Sequence, residues 1–453
     1  MTRPRCHHLL LALSLALATP GRAVAPAAPP PVVPLADLVP APIYDPSLHA
    51  LDAFRQGWQR ALRKKGQLHV LFWGASHTAA DIWTGELRRR WSALLGEGGH
   101  GFVLPVRWHP GYRAQDLLIE SSKGWQITRD HVDGERKVAA LGLMGVVAVS
   151  RDPNEYALIR TTADNALGRQ FNRLQVWLQA SPDGGDLKLE IDGEAREVSA
   201  RGDQGQPIVH KFSLKDAPHE VRLSPVGNGP VGLYGAVVER STPGVVIDQL
   251  GIPGMRADVL LHWREDVFAQ LVALRRPDLV VLAYGTNDVG DEGEPIETYE
   301  QTWRKVLLQV RAAAPDASCL IVGPTDRLTR EEGGGKRSMP RTPAVIAAQR
   351  RMAAQFRCAH WDPQAAMGGP GAMTQWTLAG LTAKDDVHLN RAGYERMAGL
   401  MDDELAKVLA GAKPAGNPRP TAKPRTADKP APPRSAVAPP QPGRPRPPAR
   451  KPE

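Results

Sequence analysis

The feature that most constrains the fold is a series of short apolar segments that alternate with helical patterns. The first, residues 67–74, ends at a glycine, and residues at helical spacing, including Ile82, Leu87 and Trp91, follow it. Residues 278–284 are almost entirely apolar, as strands covered by helices on both faces are. Further strands are predicted at 245–250, 319–322 and 358–361, and helices at 51–65, 258–274, 299–314, 344–356 and 393–409. Five strands separated by helices predict an α/β fold: a three-layer α/β/α sandwich around a five-stranded parallel sheet, flavodoxin-like, with reactive loops at the carboxyl ends of the strands.

Residues 111–240 have a different character, because short β-prone segments follow one another with no convincing helix between them. Turn pairs such as Asp183-Gly184 and Asp192-Gly193 separate several of these segments. Closely spaced short strands of this kind predict a β-sandwich. We therefore predict that residues 111–240 are inserted between the first two strands of a discontinuous α/β domain, made of residues 49–110 and 241–410.

The first 23 residues have the pattern of a secretory signal peptide. Arg3 and Arg5 precede an apolar run from Leu9 to Ala18, and small residues follow it. The run is too short to span a bilayer, and no later segment is long enough to do so. The pattern predicts an exported protein without a membrane span, periplasmic or associated with the cell surface. Residues 24–48 are rich in proline and alanine and are predicted to be a flexible lead-in.

The net charge of +9 comes from the ends of the chain. Residues 411–453 hold ten Lys or Arg, two acids and 14 of the 42 prolines, whereas residues 24–410 hold 44 basic and 46 acidic groups. The near-neutral folded part gives no indication of nucleic-acid binding. The basic tail is predicted to be disordered, because it has too little apolar surface to bury. A solvated linker is the favoured interpretation, and attraction to an anionic glycan or membrane surface is the alternative.

Neither a metal nor a cofactor is predicted. Cys319 and Cys358 lack the spacing of metal ligands. If their segments are neighbouring strands, the two cysteines are either a disulfide or two buried thiols. Residues 96–101 match G-x-G-x-x-G, but they follow a helix instead of joining a strand to one, so the dinucleotide-binding interpretation fails.

Candidate reactive residues follow several of the strands. Ser76 follows the first, Gly254 the second and Asn287 the third, while Asp385 and His388 precede the last helix. Each has an ordinary alternative: a strand-ending turn, a helix-start glycine, an Asx turn or a surface histidine. Asp386 is the nearest rival to Asp385 as a partner for the histidine. The carboxyl ends of parallel strands share one edge, so we expect these loops to meet.

Four short segments, called blocks below, contain these residues: the first has Ser76, the second Gly254, the third Asn287, and the fourth Asp385 and His388. Together, the four blocks resemble the SGNH, or GDSL-like, hydrolase family. The resemblance implies that Ser76 is a nucleophile, that His388 takes its proton, and that Asp385 orients the imidazole. It also implies an oxyanion hole formed by the N–H groups of Ser76 and Gly254 and by the side-chain amide of Asn287. One departure is Ala75, where the family usually has aspartate.

A narrower resemblance is to peptidoglycan O-acetylesterases of this family. It depends on His77 after the serine, on residues 361–369, on Trp376 and on the motif at 385–394. Those enzymes carry a carbohydrate-binding-like β module after the first block. The resemblance implies hydrolysis of acetyl esters on a cell-wall polysaccharide through an acetyl-serine intermediate. Peptidoglycan is the polysaccharide that it indicates.

Two alternatives to an esterase remain at this point. A polysaccharide O-acetyltransferase would use the same Ser–His–Asp site with a sugar hydroxyl in place of water. A non-catalytic glycan-binding protein is favoured only by Ala75. Four tryptophans are candidates for stacking on sugar rings, although most are expected to pack in the core: Trp73, Trp83, Trp125 and Trp376. The sequence predicts a polysaccharide partner and does not indicate an oligomeric state.

Overall fold

The computed structural model describes residues 40–411 except 130, 133–134 and 137–138. In chain order, the described helices are α1 Asp52–Leu62, α2 Ser76–Ala79, α3 Ile82–Leu95, α4 Glu265–Arg275, α5 Ile296–Ala313, α6 Thr342–Phe356, α7 Pro363–Met367, α8 Ala372–Leu378 and α9 Arg391–Leu409, with 3₁₀ helices at Ala257–His262 and Asp288–Gly290. The strands are β1 Gln67–Gly74, β2 Gly99–Val103, β3 Leu117–Ser121, β4 Gln126–Arg129, β5 His131–Val132, β6 Glu135–Arg136, β7 Val146–Ser150, β8 Ala157–Thr161, β9 Phe171–Gln179, β10 Asp186–Ile191, β11 Glu194–Ser199, β12 Pro207–Ala217, β13 Glu220–Pro225, β14 Val231–Glu239, β15 Gly244–Gly251, β16 Leu279–Ala283, β17 Ser318–Val322, β18 Leu328–Arg330, β19 Lys336–Ser338 and β20 Ala359–Trp361.

The five predicted parallel strands form one sheet in the order β15-β1-β16-β17-β20. Every neighbouring pair in it is parallel. Counted along the α/β domain alone, the order is 2-1-3-4-5, which is the flavodoxin-like order. The predicted fold class is therefore confirmed. Because the strands are parallel, the loops that follow them open at one rim of the sheet.

Both faces of this sheet are covered by helices. Val70 and Phe72 of β1 pack in a buried cluster with residues of α1, α3 and α9. Leu71 and Trp73 pack on the opposite face with residues of α4, α5 and α6. Full burial of side chains of this size contributes about 1.5–3 kcal/mol each. This double burial explains why the central strands are apolar without alternation.

The prediction of a single helix over 258–274 is wrong. The segment contains the 3₁₀ helix Ala257–His262 and then α4, with Trp263 between them in an extended conformation of φ −93° and ψ 141°. Trp263 forms a parallel bridge with Ala139 of the insertion. Its ring also packs against Trp73, with 6.4 Å between ring centroids. A contact with a distant part of the chain therefore interrupts the helix, and sequence periodicity does not reveal such a contact.

A two-stranded antiparallel sheet of β5 and β6 and two larger antiparallel sheets lie between β1 and β15 in the sequence. The orders of the larger two are β11-β10-β13-β8-β3 and β12-β9-β14-β7-β4, and β2 pairs with β14 of the second. Side chains from both larger sheets, such as Leu189 and Val176, share one buried cluster, so these sheets form a sandwich. The strand β2 belongs to this sandwich although it precedes residue 111. The antiparallel part therefore begins before the boundary predicted from the sequence.

The chain just before α1 is held against the parallel sheet. Tyr44 and His360 of β20 exchange two main-chain hydrogen bonds of 2.8 Å each. The prediction that the whole of 24–48 is flexible is therefore corrected for residues 41–48. Main-chain pairing with the edge strand fixes this segment, and its proline- and alanine-rich composition gives no sign of it.

Three predictions concern parts of the chain that lie outside the described residues. They are the signal peptide at 1–23, residues 24–39 of the lead-in, and the tail from residue 412 onward. Within the described part of 40–411, no helix combines the length and apolarity needed to cross a membrane.

Cys319 and Cys358 form a disulfide. Cys319 lies in β17, and Cys358 directly precedes β20, the neighbour of β17 in the sheet. Both residues are at most 1% exposed. Of the two possibilities that the sequence leaves open, the structure has the bonded form.

Candidate active site

Ser76 lies at a tight turn between β1 and α2. The strand ends at Gly74, and Ser76 is the first residue of the helix. A Cβ at residue 74 would lie 2.2 Å from Oγ1 of Thr78, so only glycine permits this close return of the chain. Gln249 of β15 donates its side-chain amide to the carbonyl oxygen of Thr78 at 2.9 Å. The turn is therefore anchored to the neighbouring strand, with Ser76 at the rim.

Ser76, His388 and Asp385 form one hydrogen-bonded chain. Nε2 of His388 lies 2.7 Å from Oγ of Ser76. Nδ1 of His388 lies 2.6 Å from Oδ2 of Asp385. An imidazole held in this way can take a proton from the serine at Nε2 while its Nδ1–H stays hydrogen-bonded to the carboxylate. The His388 side chain is 35% exposed, so water and large substrates have access to it.

Asp385 is also bound by the main chain of its own loop. Its Oδ1 accepts the N–H groups of Val387 at 3.1 Å and of His388 at 2.8 Å. Partial burial alone would raise its pKa, but hydrogen bonds from the main chain and ring of His388, and from Val387, outweigh burial and lower the pKa to about 2. The carboxylate is therefore ionised at neutral pH.

Asp386, the rival acid, has a different partner. Its backbone has a φ of 62°, and its carboxylate pairs with Nζ of Lys336 at 2.7 Å. The structure thus brings Asp385, and not Asp386, to the imidazole.

Gly254 and Asn287 lie on loops that touch each other at the same rim. Nδ2 of Asn287 donates to the carbonyl oxygen of Met255 at 2.8 Å, and the amide carries a second N–H. Gly254 has a φ of 81°, and no atom lies within 4 Å of the place its Cβ would take. The Asx turn fails as an explanation, because the Asn287 side chain makes no capping bond. The helix-start alternative fails for Gly254, because the 3₁₀ helix begins only at Ala257.

His77 joins the turn of Ser76 to helix α9 and to a loop of the rim. Its Nδ1 lies 2.9 Å from Oη of Tyr394, and its Nε2 lies 3.2 Å from Oγ1 of Thr325. Thr325 Oγ1 in turn lies 3.4 Å from Oγ1 of Thr286. Sequence reasoning did not identify Thr325 or Thr286, although their position just after β17 and β16 is a usable signal. The network therefore connects the turn of Ser76 with the first turn of α9 and with the loops after β16 and β17.

We expect His77 to make the fold sensitive to acid. Burial, and then the neighbouring His388, lower the pKa of His77 from 6.5 to about 3, so the folded protein keeps the ring neutral where the unfolded chain protonates it. Its contribution is complete above pH 6.5 and decreases by about 1.4 kcal/mol per pH unit as the pH falls toward 3. His77→Gln should remove this slope, measured by urea unfolding between neutral pH and about pH 4.

The matched control is His49→Gln, because the His49 side chain is 67% exposed. It leaves the hydrogen bonds of His77 in place, so the acid sensitivity assigned to His77 should persist in this variant. His77→Gln also loses hydrogen bonds to Tyr394 and Thr325, which lowers stability at every pH by about 1–3 kcal/mol. The slope is therefore the informative quantity, and equal slopes in wild type and His77→Gln would contradict the assignment.

Most of the tryptophans considered as sugar contacts belong to the core. Trp73, Trp83 and Trp376 are at most 2% exposed. Trp125 is 6% exposed and lines a cleft in the β-sandwich. Stacking on sugar rings is therefore wrong for Trp73, Trp83 and Trp376, because helices and neighbouring strands cover their rings.

One group among the described residues has side-chain atoms close enough to share a metal ion: Asp81, His100 and Asp116. The guanidinium of Arg88 already lies between the carboxylates. It pairs with Asp81 at 3.1 Å and also with Asp116. An arginine thus supplies the compensating positive charge, and this cluster is a buried ion-pair network.

Part of the chain matches a known family. A model described as GDSL-like lipase/acylhydrolase family matches residues 222–396. That range contains Gly254, Asn287, Asp385 and His388, whereas Ser76 precedes it because the β-sandwich separates the first block from the others. No curated protein matches the sequence.

The chain is also similar to solved structures. A structure described as a peptidoglycan O-acetylesterase has 27% sequence identity, covers 80% of this chain and 97% of its own, and has a TM-score of 0.67. A family two carbohydrate esterase from Cellvibrio japonicus has 12% identity over 65% of this chain and 98% of its own, with a TM-score of 0.26. Only the first likeness is close enough to support an argument.

Proposed function

We propose that the chain is a member of the GDSL-like lipase/acylhydrolase family, whose model matches residues 222–396, and that it is an exported serine esterase that removes O-acetyl groups from a cell-wall polysaccharide. Peptidoglycan is the proposed polysaccharide, because the chain is similar over 80% of its length to a peptidoglycan O-acetylesterase. The observation that carries the proposal is the hydrogen-bonded chain from Ser76 through His388 to Asp385.

In the proposed mechanism, Oγ of Ser76 attacks the acetyl carbonyl carbon while Nε2 of His388 takes the hydroxyl proton. The N–H groups of Ser76 and Gly254 and the amide of Asn287 bind the resulting oxyanion, and each such donor typically lowers the barrier by about 3 kcal/mol. The bond to the sugar oxygen then breaks, and His388 returns the proton to that oxygen. The product of this half-reaction is acetyl-Ser76 and a free sugar hydroxyl.

Water completes the proposed reaction. His388 takes a proton from the water, and the hydroxide adds to the acetyl carbon. The bond to Oγ of Ser76 then breaks, His388 returns the proton to Oγ, and acetic acid leaves and ionises to acetate. The open position of the site favours water as the acceptor, since the side chain of His388 is 35% exposed and that of Asp385 50% exposed. The same openness suits a polymer, which cannot enter a closed pocket.

Export is part of the proposal. The disulfide between Cys319 and Cys358 supports it, because disulfides persist in oxidising compartments. The proposed location is the periplasm or the cell surface, where a cell-wall glycan is accessible.

The test is acetate release from a panel of O-acetylated polymers, including peptidoglycan and an acetylated plant glycan. We expect release from peptidoglycan, and a serine-reactive phosphonate should add its mass to the peptide that contains Ser76. Failure to release acetate from any polymer, with no labelling of Ser76, would reject the esterase. Transfer of acetyl groups to an added glycan acceptor in preference to water would instead establish an O-acetyltransferase.

A further inference from the structure

A cleft of about 380 Å³ opens in the β-sandwich. The residues that characterise it are two tryptophans, two serines and two basic residues: Trp108, Trp125, Ser121, Ser122, Arg107 and Lys123. Trp108 is half-buried, and Trp125 is 6% exposed. Trp108 is the more accessible indole. Oγ of Ser121 accepts the main-chain N–H of Arg107 and keeps its own O–H for a ligand, whereas the hydroxyl of Ser122 is bonded to the main chain of Tyr156. An indole beside such a hydroxyl in a concave site matches the apolar face and hydroxyl edge of a sugar ring.

The loop after β2, which supplies part of the cleft, also touches the catalytic rim. The N–H of Arg113 donates to the carbonyl oxygen of Ala79 at 3.0 Å, and Ala79 ends the helix that Ser76 begins. A Cβ at Gly111 would lie 3.5 Å from Cγ of Pro253, the residue before Gly254. The same loop therefore borders both the nucleophile and the glycine of the second block.

The separation between cleft and rim is short on the scale of a polymer. Trp108 precedes Arg113 by five residues, so their Cα atoms are at most about 18 Å apart. The ring of Trp108 packs against Tyr112, with 5.9 Å between centroids, which fixes the loop between the two places. A glycan of a few sugar units spans such a distance.

The charge around the cleft is positive. Arg107 and Lys123 are exposed, and neither forms an ion pair with a residue that the structure describes. Partial burial and then the charge of Arg129 lower the pKa of His109 in the same loop. Among the residues that the structure describes, no acidic side chain lines the cleft. Glu155 meets the neighbouring turn, where its carboxylate accepts a main-chain N–H at 2.8 Å.

We propose that this cleft is a second sugar-binding subsite, which takes a carboxylate-bearing sugar of the glycan strand while an acetylated sugar of that strand lies at Ser76. The inference rests on the proposed function, because it takes the polymer to be the substrate. A neutral sugar would leave the two exposed cations without a role, whereas a carboxylate forms charge-assisted hydrogen bonds with them. Peptidoglycan strands from which the stem peptides have been removed meet this requirement, since alternate sugars then carry a free lactyl carboxylate.

The test measures binding by the full chain in the Ser76→Ala background, so that no ester is consumed. The probes are soluble peptidoglycan strand fragments with free lactyl carboxylates, and neutral chitin oligosaccharides of the same length. Titration calorimetry at low salt gives the Kd for each. The cleft variants are Trp108→Ala and the pair Arg107→Gln with Lys123→Gln. The charge-matched control is the pair Arg196→Gln with Lys211→Gln, on exposed strands of the same sandwich.

We expect tighter binding of the acidic fragments, and a loss of about tenfold for each cleft variant, as for a residue at the centre of a binding site. The control should bind like its parent, and added salt should remove most of the preference for the acidic probe. Cleft variants that bind like the parent, or a parent that binds neither probe, would overturn the subsite. Equal affinity for acidic and neutral probes would overturn the inference that the subsite recognises a carboxylate.

Two features keep the outcome clear. Trp108 packs partly against the core, so Trp108→Ala could weaken the fold, whereas Arg107 and Lys123 are exposed and their replacement does not disturb packing. Thermal unfolding of every variant identifies any that are destabilised. The binding result does not depend on hydrolysis, so a protein that binds the acidic strand but releases no acetate would reject the proposed esterase and not this subsite.

Discussion

Replacing Ser76 with alanine is expected to lower kcat for acetyl-ester hydrolysis by about 10⁶-fold, as typically follows removal of the nucleophile of a Ser–His–Asp site. The methyl group has no oxygen to attack the carbonyl, so the acetyl-enzyme cannot form. The fold should remain, because Ser76 is half-buried at the rim and its Oγ bonds only to the imidazole of His388 among the described contacts. Acetate release and thermal unfolding measure the two expectations.

The same prediction extends to His388→Ala, and the two losses should not add. Once the hydroxyl is gone, the imidazole has no proton to take, so the double variant should be about as slow as either single one. Ser199→Ala is the matched control, because Ser199 is exposed on β11. Losses that multiply in the double variant, or a Ser76→Ala protein with wild-type activity, would show that the three side chains do not act as a unit.

The parallel sheet was predictable because the burial of its strands requires a pattern of residues that is visible in the sequence. A strand buried on both faces must be apolar throughout, and Leu279–Ala283 is such a strand. Parallel strands also place their following loops at one rim, so residues as far apart as Ser76 and His388 are expected to meet. That reasoning needs only the order of elements, which explains why 312 residues of separation did not obscure it.

The structural features that the sequence did not predict depend on contacts between segments that are distant in the chain. Trp263 interrupts a helical pattern because Ala139 of the insertion pairs with it. Tyr44 is fixed because the edge strand β20 accepts a partner there. Neither local composition nor periodicity indicates that Ala139 pairs with Trp263 or that β20 pairs with Tyr44.

The hydrogen-bond network of His77 was hidden for a related reason. His77 is next to Ser76 in the sequence, but its partners come from distant segments: Tyr394 from α9 and Thr325 from the loop after β17. Threonines are common at loop positions, so Thr325 carries no signal until the rim is assembled. The cleft beside Trp108 is similar, because its aromatic and basic residues come from two separate loops, one after β2 and one between β3 and β4.

Asp385→Asn should lower kcat by about 10⁴-fold while leaving the loop intact. The Oδ1 of asparagine still accepts the N–H groups of Val387 and His388, which Oδ1 of Asp385 accepts now. At the second position, however, an amide N–H replaces Oδ2 and faces Nδ1 of His388. An amide that donates to Nδ1 fixes the ring proton on Nε2, and this nitrogen then cannot take the proton of Ser76. The variant should therefore fold normally and hold the wrong tautomer.

The adjacent acid supplies the control for this prediction. Asp386→Asn removes an exposed ion pair with Lys336, and such pairs contribute about 0–1 kcal/mol. Its acetate release should stay close to that of wild type, with both variants matched in charge and one residue apart. Equal losses in the two variants would mean that net charge near the rim, and not the tautomer of His388, governs the rate. Full activity in Asp385→Asn would remove the carboxylate from the mechanism, because the remaining serine and imidazole would then be sufficient.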